Sequence, residues 1–175
     1  YIEATINSIQ RFSEFGLPFE HEVIVVDNGS VDATREIASR AGAQVLRKDE
    51  GTIAAVRNYG ALKAKGELFV FLDADVCLSE KWFKNIDAIF GQLGKGSKIV
   101  TGSHCAPPES DNWFLKYWFQ SFFEESESSH IGSAHMIMTK DCFDEVGGFS
   151  EYLETGEDYD ICQKAVASGY SIKNN

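Results

Sequence analysis

The chain has 175 residues, 43% of them hydrophobic, which fits one domain with a sizeable core and excludes a disordered or fibrous chain. With 16 Lys and Arg against 27 Asp and Glu, the formal charge of −11 opposes binding to nucleic acid or an anionic bilayer through bulk charge. Any phosphorylated ligand must therefore be met by local donors or by a metal. From the first residue, Ile2, Ile6, Ile9 and Phe12 recur at helical spacing and predict an amphipathic helix over residues 2–15. His21 to Asp27 is a β-branched run closed by an acid. Gly29-Ser30 then turns the chain into a helix of about 32–41 that stops at Gly42.

Ala43 to Leu46 reads as a second strand, Ile53 to Ala64 as a second crossover helix, and Glu67 to Leu72 as a third strand, again closed by an acid, Asp73. This alternation predicts an α/β sheet with parallel central strands. Ser79 is the expected N-cap of a helix over 79–93, whose stripe is Trp82, Phe83, Ile86, Ile89, Phe90 and Leu93. Lys98 to Thr101 is a short strand. Beyond it come a turn at Ala106-Pro107-Pro108, an aromatic helix from Trp113 to Phe123 and a polar loop from Ser126 to His130. His135 to Thr139 is a strand, Lys140 to Val146 a helix, Gly147-Gly148 a corner, Glu157 to Ser168 a helix, and Tyr170-Ser171-Ile172 the start of a strand. There is no internal repeat and no linker, so residues 1–175 read as a single domain.

In parallel α/β sheets ligands sit beyond the carboxyl ends of the strands, which puts Asp27 and Asp73-Ala74-Asp75 in that crevice. In an extended segment the Asp73 and Asp75 carboxylates point the same way, and a hard cation such as Mg²⁺ or Mn²⁺ takes carboxylate and phosphate oxygens together. Acids after strands are also ordinary turn residues. Other nucleotide cradles are missing: Gly91 to Ser97 lacks the P-loop spacing and precedes a strand, and no G-x-G-x-x-G follows the first strand. An ATPase or a nicotinamide enzyme is thereby disfavoured.

Five motifs in order carry a resemblance: Val25-Val26-Asp27-Asn28-Gly29-Ser30, Ala55-Val56-Arg57-Asn58-Tyr59-Gly60, Phe71-Leu72-Asp73-Ala74-Asp75, Val146-Gly147-Gly148-Phe149 and Gly156-Glu157-Asp158-Tyr159-Asp160. Together they resemble the family 2 glycosyltransferases, which have a GT-A fold, a three-layer α/β/α sandwich with a mainly parallel central sheet. The resemblance implies a nucleotide-diphosphate sugar donor and a saccharide or lipid-linked acceptor. It implies that Asp27, Asn28, Ser30, Arg57, Asn58 and Asp73 serve the nucleotide, that Asp73 and Asp75 hold Mg²⁺ or Mn²⁺, and that Asp158, beside Glu157, is the catalytic base. Direct displacement on such a site inverts the anomeric configuration. The family normally opens with a further strand, expected before Tyr1, so the domain reads as incomplete at both ends.

Residues without the resemblance keep plainer readings. Glu157 and Asp158 also fit acids that stabilise a helix start. His104, His130 and His135 lack a strong zinc spacing and read as structural. The rings of the 113–123 helix suit core packing, acceptor stacking or a lipid-linked acceptor surface. No stretch approaches the roughly 18–20 apolar residues of a membrane span. Cys77, Cys105, Cys142 and Cys162, with no C-x-x-C pair, read as free thiols. A cytoplasmic protein with peripheral association at the inner membrane face is the corresponding expectation. A non-catalytic sugar-nucleotide-binding or interaction module of the same fold is the rival; a sugar nucleotidyltransferase would need a glycine-rich, basic loop after its first strand.

Overall fold

The computed structural model describes residues 1–16, 19–94, 96–103 and 130–174. The expected turn at Ala106-Pro107-Pro108, the aromatic helix Trp113–Phe123, His104, Cys105 and residues 126–129 of the polar loop lie outside the described residues. In chain order the elements are α1 (Ile2–Ile9), a 3₁₀ turn (Gln10–Ser13), β1 (Ile24–Asp27), α2 (Thr34–Arg40), β2 (Gln44–Arg47), α3 (Ile53–Lys63) and β3 (Leu68–Leu72). They continue as α4 (Glu80–Gln92), β4 (Ile99–Gly102), β5 (His135–Thr139), α5 (Lys140–Val146), α6 (Glu157–Ala167) and β6 (Ser171–Asn174). The first helix is shorter than its periodicity predicts: α geometry ends at Ile9, and the 3₁₀ turn still delivers Phe12 to the core against Trp82 and Phe83.

Two sheets form, β1-β2 and β3-β5-β4-β6. β1 pairs parallel with β2, and β4 pairs parallel with β6. The expected parallel order is broken by β5, which is antiparallel to both β3 and β4. Because it separates them, β3, β4 and β6 all point one way. The α4 crossover therefore joins two parallel strands that are not neighbours, and β5 fills the position between them.

β5 is buried from His135 to Met138, and its period-two alternation sorts those side chains to opposite faces. Met136 and Met138 join Phe69, Val100, Phe143, Phe149 and Ile161 beneath α5 and α6. Ile137 joins Phe83, Ile86 and Ile89 beneath α4. The Ser79 hydroxyl caps α4 by accepting from the Trp82 amide at 3.2 Å, so the helix starts where its apolar stripe meets the sheet. Each such side chain, fully buried, contributes about 1.5–3 kcal/mol. α1 and α2 cover β1 and β2 through Ile2, Ile6 and Ala38, while Gly60 of α3 lets that helix approach Val26 on the opposite face, where a Cβ would stand 3.1 Å from Val26 Cγ2.

Glu22, just before β1, accepts from the amides of Lys65 and Gly66, just before β3, at 2.6 and 3.2 Å. The two strands thus start side by side, but neither pairs with the other. Between them lies a groove of about 1120 Å³ with β1 and β3 as walls and α1 and α3 on its faces. Such a groove accommodates an extended strand, the element that the resemblance expects ahead of α1. No helix among the described residues is long and apolar enough to cross a membrane.

Candidate active site

The turn after β3 and the start of α6 are joined by one guanidinium. Arg57 Nη2 donates to Asp73 Oδ1 and Nη1 to Glu157 Oε1, both at 2.8 Å, and the group lies 5.7 Å from the centre of the Phe149 ring. Arg57 reaches both because it lies in the first half of α3, which starts at the carboxyl ends of the strands and runs back towards their amino ends, where Lys65 and Gly66 meet Glu22. The sequence reading has Arg57 lining the nucleotide; here its charge is spent on two acids, which makes it a bridge between motifs.

The Asp73-Ala74-Asp75 segment is anchored at several points. The Asp73 amide donates to the Ala134 carbonyl at 3.1 Å, and Thr5 Oγ1 of α1 donates to the Ala74 carbonyl at 2.9 Å. The Val76 amide donates to the Asp73 carbonyl at 3.1 Å, so the chain turns here and is not extended. Strand alternation therefore does not align the two carboxylates, contrary to expectation. Asp75 is exposed and forms no ion pair among the described residues, whereas Asp73 has one oxygen on Arg57.

The adjacent acids of α6 separate. Glu157 is 6% exposed and also accepts from Ser133 Oγ at 3.3 Å, so its buried carboxylate is engaged by both Arg57 and a hydroxyl. Expected at the catalytic site beside Asp158, Glu157 is the counter-ion of Arg57 in this structure. Asp158 is half-buried; its Oδ2 accepts from the Ser133 amide at 3.4 Å and its Oδ1 from the Tyr159 amide at 2.8 Å. Consecutive helical residues project about 100° apart, which is why one acid faces Arg57 while the next keeps an open side.

Two nucleotide assignments change. The Asp27 side chain is 1% exposed; it accepts from the Ser30 amide at 3.2 and 3.3 Å and lies 3.6 Å from Arg35 Nη1. A carboxylate so enclosed holds the Gly29-Ser30 turn and does not present itself to a base or ribose. Asn28 is exposed, with Nδ2 donating to the Lys48 carbonyl at 2.9 Å, and Ser30 is half-buried, so these two flank the turn as its accessible polar groups. The Asn58 carboxamide makes three hydrogen bonds, to the Phe149 amide, the Phe149 carbonyl and Glu151, and so is tied to the protein's own chain. A motif spacing marks such residues as important without revealing whether their partner is ligand or backbone.

The histidines are structural here. His135 is 3% exposed, Trp82 Nε1 donates to its Nε2 at 3.0 Å, and Ser103 Oγ lies 2.8 Å from its Nδ1. The Ser103 amide lies 3.2 Å from the same nitrogen, so both ring nitrogens are taken up by the protein. Burial pulls the His135 pKa down to about 4. His130 packs edge-on against Tyr159 at 5.7 Å. Among the described residues no group of three or more His, Cys, Asp or Glu forms a metal cage. Cys77 is exposed while Cys142 and Cys162 are buried, all as free thiols, and burial pushes Cys142 up to about 11.

The fold has counterparts among known proteins. The description "Glycosyl transferase family 2" matches residues 1–143, and the chain belongs to that family. It is 28% identical over 165 residues to glycosyltransferase AglE of Haloferax volcanii, covering 87% of this chain and 53% of that protein. It is 25% identical over 166 residues to the pre-mycofactocin glycosyltransferase of Mycobacterium tuberculosis, covering 86% of this chain and 35% of that protein. The chain thus spans about half, or less, of the length of these curated relatives. Among solved structures, the mannosyltransferase PcManGT of Pyrobaculum calidifontis in complex with GDP-Man and Mn²⁺ superposes with a TM-score of 0.74 at 17% identity, covering 100% of this chain and 51% of that one. S. aureus TarS 1-349 superposes with a TM-score of 0.70 at 21% identity, covering 100% and 54%. At these identities the superpositions establish the fold, which is that of the GT-A glycosyltransferases.

Proposed function

We propose that this chain carries the donor side and the base of a metal-dependent inverting glycosyltransferase, which moves a sugar from a nucleotide-diphosphate sugar to an acceptor hydroxyl. The observation that supports this reading is the Arg57 bridge, which ties Asp73 to the residue next to Asp158 and so brings the two motifs together. Asp158 takes the proton of the acceptor hydroxyl as that oxygen bonds to the anomeric carbon, and the bond to the diphosphate breaks on the opposite side, inverting the centre.

The acids present fit a divalent cation. Asp75 is open and Asp73 keeps one oxygen, and a site with only these two carboxylates suits Mg²⁺ or Mn²⁺ completed by substrate phosphates. When bound, the cation offsets charge developing on the leaving diphosphate. The GDP-Man and Mn²⁺ of the mannosyltransferase structure support the same ligand classes here. So do the Mn²⁺ and uridine diphosphate of a glucosyl-3-phosphoglycerate synthase from M. tuberculosis, TM-score 0.65. The acceptor class is a saccharide or a lipid-linked saccharide. The free thiols support a reducing, cytoplasmic setting, with peripheral contact at the inner membrane face if the acceptor is lipid-linked.

The test is Asp158→Asn, read by nucleotide release from a panel of nucleotide sugars with acceptor. Transfer should fall by roughly 10²–10⁴ while donor binding persists. Full turnover in the variant would remove Asp158 as the base. Donor binding without turnover by the unaltered protein would favour the non-catalytic module.

A further inference from the structure

α3 presents Arg57 and Asn58 in succession to different partners: Arg57 holds Glu157 itself, whereas Asn58 holds the chain that leads to it. Asn58 Oδ1 accepts from the Phe149 amide at 2.9 Å, and Nδ2 donates to the Phe149 carbonyl at 2.8 Å. This is the two-point pairing that a neighbouring strand would make. Nδ2 also donates to Glu151 Oε1 at 2.9 Å, so three of the four bonds open to a carboxamide go to one short segment. Gly148 makes the approach possible: at φ +68°, its added Cβ would stand 2.8 Å from Asn58 Oδ1.

The segment from Gly147 to Gly156 has no helix or strand of its own, yet it is tied on two sides. On the α3 side, besides Asn58, the α3 N-cap Thr52 donates through Oγ1 to the Glu151 carbonyl at 3.0 Å. On the α6 side, Ser150 Oγ donates to Asp160 Oδ2 at 2.6 Å and Lys164 Nζ to the Gly148 carbonyl at 2.7 Å. Phe149 is 2% exposed and sits edge-on to Phe71 at 5.0 Å, so its backbone cannot drift without opening the core. The segment ends at Gly156, the N-cap of α6, and the next two residues are Glu157 and Asp158.

We propose that Asn58 is a positioning residue for the base: by fixing Phe149 to Glu151 it sets where the chain enters α6, and so where Asp158 stands. The proposal rests on the glycosyltransferase reading, with Asp158 as base. It moves Asn58 from contact with the donor to control of the acceptor side.

Two variants test it, Asn58→Asp alone and combined with Glu151→Gln. Asn58→Asp keeps size and the acceptor for the Phe149 amide, but sets an oxygen against both the Phe149 carbonyl and the Glu151 carboxylate. Adding Glu151→Gln replaces the second repulsion with a donor. The readouts are kcat and donor KM, and amide hydrogen exchange across residues 149–160. For Asn58→Asp, kcat should fall about 10–100-fold, the scale of a small misplacement of a reacting group, with donor KM within about threefold. Exchange protection should drop from Phe149 through the Asp160 amide, which bonds to the Gly156 carbonyl at 3.0 Å. The double variant should recover part of both. A kcat within about twofold of the parent overturns the proposal, as does exchange loss confined to residues 149–151. Absence of donor turnover by the parent protein would count against the glycosyltransferase reading alone, and the exchange pattern would still decide whether Asn58 controls the start of α6.

Discussion

Replacing Arg57 with methionine keeps most of the side-chain bulk and removes the guanidinium from its two acids. Those acids are unequal: the Asp73 side chain is 39% exposed, that of Glu157 8%, and that of Arg57 11%. Asp73 regains water when its partner leaves, so its pair is worth only about 0–1 kcal/mol. Glu157 regains almost none, and a buried carboxylate stripped of its cation costs about 3–5 kcal/mol. The Ser133 hydroxyl still donates to Glu157, which favours the lower end, a total near 3 kcal/mol. In a chain of this size that lowers Tm by about 6–12 °C. Arg57→Met with Glu157→Gln removes the stranded charge and keeps the Ser133 bond, so most of the loss should return, with a coupling of about 2–3 kcal/mol in a double-mutant cycle. Thermal and urea unfolding followed by circular dichroism measure both. A loss under about 1 kcal/mol for Arg57→Met, or a double variant no more stable than the single one, would refute the bridge between the two motifs.

Asp75→Ala should abolish the Mn²⁺-dependent part of nucleoside diphosphate binding in calorimetry, while Glu80→Ala, an exposed acid on α4, should leave it intact; equal affinity in EDTA sinks the metal assignment. His135 has its folded pKa lowered from 6.5 to about 4, so the unfolded chain takes up the proton first. Its contribution is complete above pH 6.5 and lost as pH falls towards 4, about 3 kcal/mol in all. His135→Gln should flatten the urea-stability profile in that window, and an unchanged slope contradicts the buried neutral ring. Gly148→Ala must both hold φ at +68° and push against Asn58 and Phe143, whereas Gly147→Ala, at φ +75°, meets nothing within 4 Å. The first should therefore cost clearly more than the roughly 1–2 kcal/mol of a left-handed alanine and the second no more than that, with equal losses refuting the close approach.

Local pattern made most elements legible. The strand His135–Thr139 and the helix Lys140–Val146 have the predicted bounds, because an apolar run followed by a threonine cap is a short-range signal. The direction of β5 was not legible, since antiparallel insertion between β3 and β4 depends on how the chain returns from residue 103 to residue 130. At the site, the acids were found by their position after strands and at a helix start, but their division of labour was not. Glu157 and Asp158 are neighbours of like chemistry, and only Arg57, far away in sequence, makes one a buried counter-ion and leaves the other open. Asp27 and Asn58 show the same limit: each was recognised as a motif residue, and each spends its polar atoms on the protein's own backbone.

Along the groove between β1 and β3, hydrogen-bonding edges face a cavity without pairing to each other. Backbone groups deprived of both water and partners are costly, and an open edge templates the next extended segment it meets. The flanking residues, Val25 and Val26 on one wall and Val70 and Phe71 on the other, favour β structure, and no proline stands among them to block pairing. An extended segment seated in the groove would join β1 and β3 into one continuous sheet.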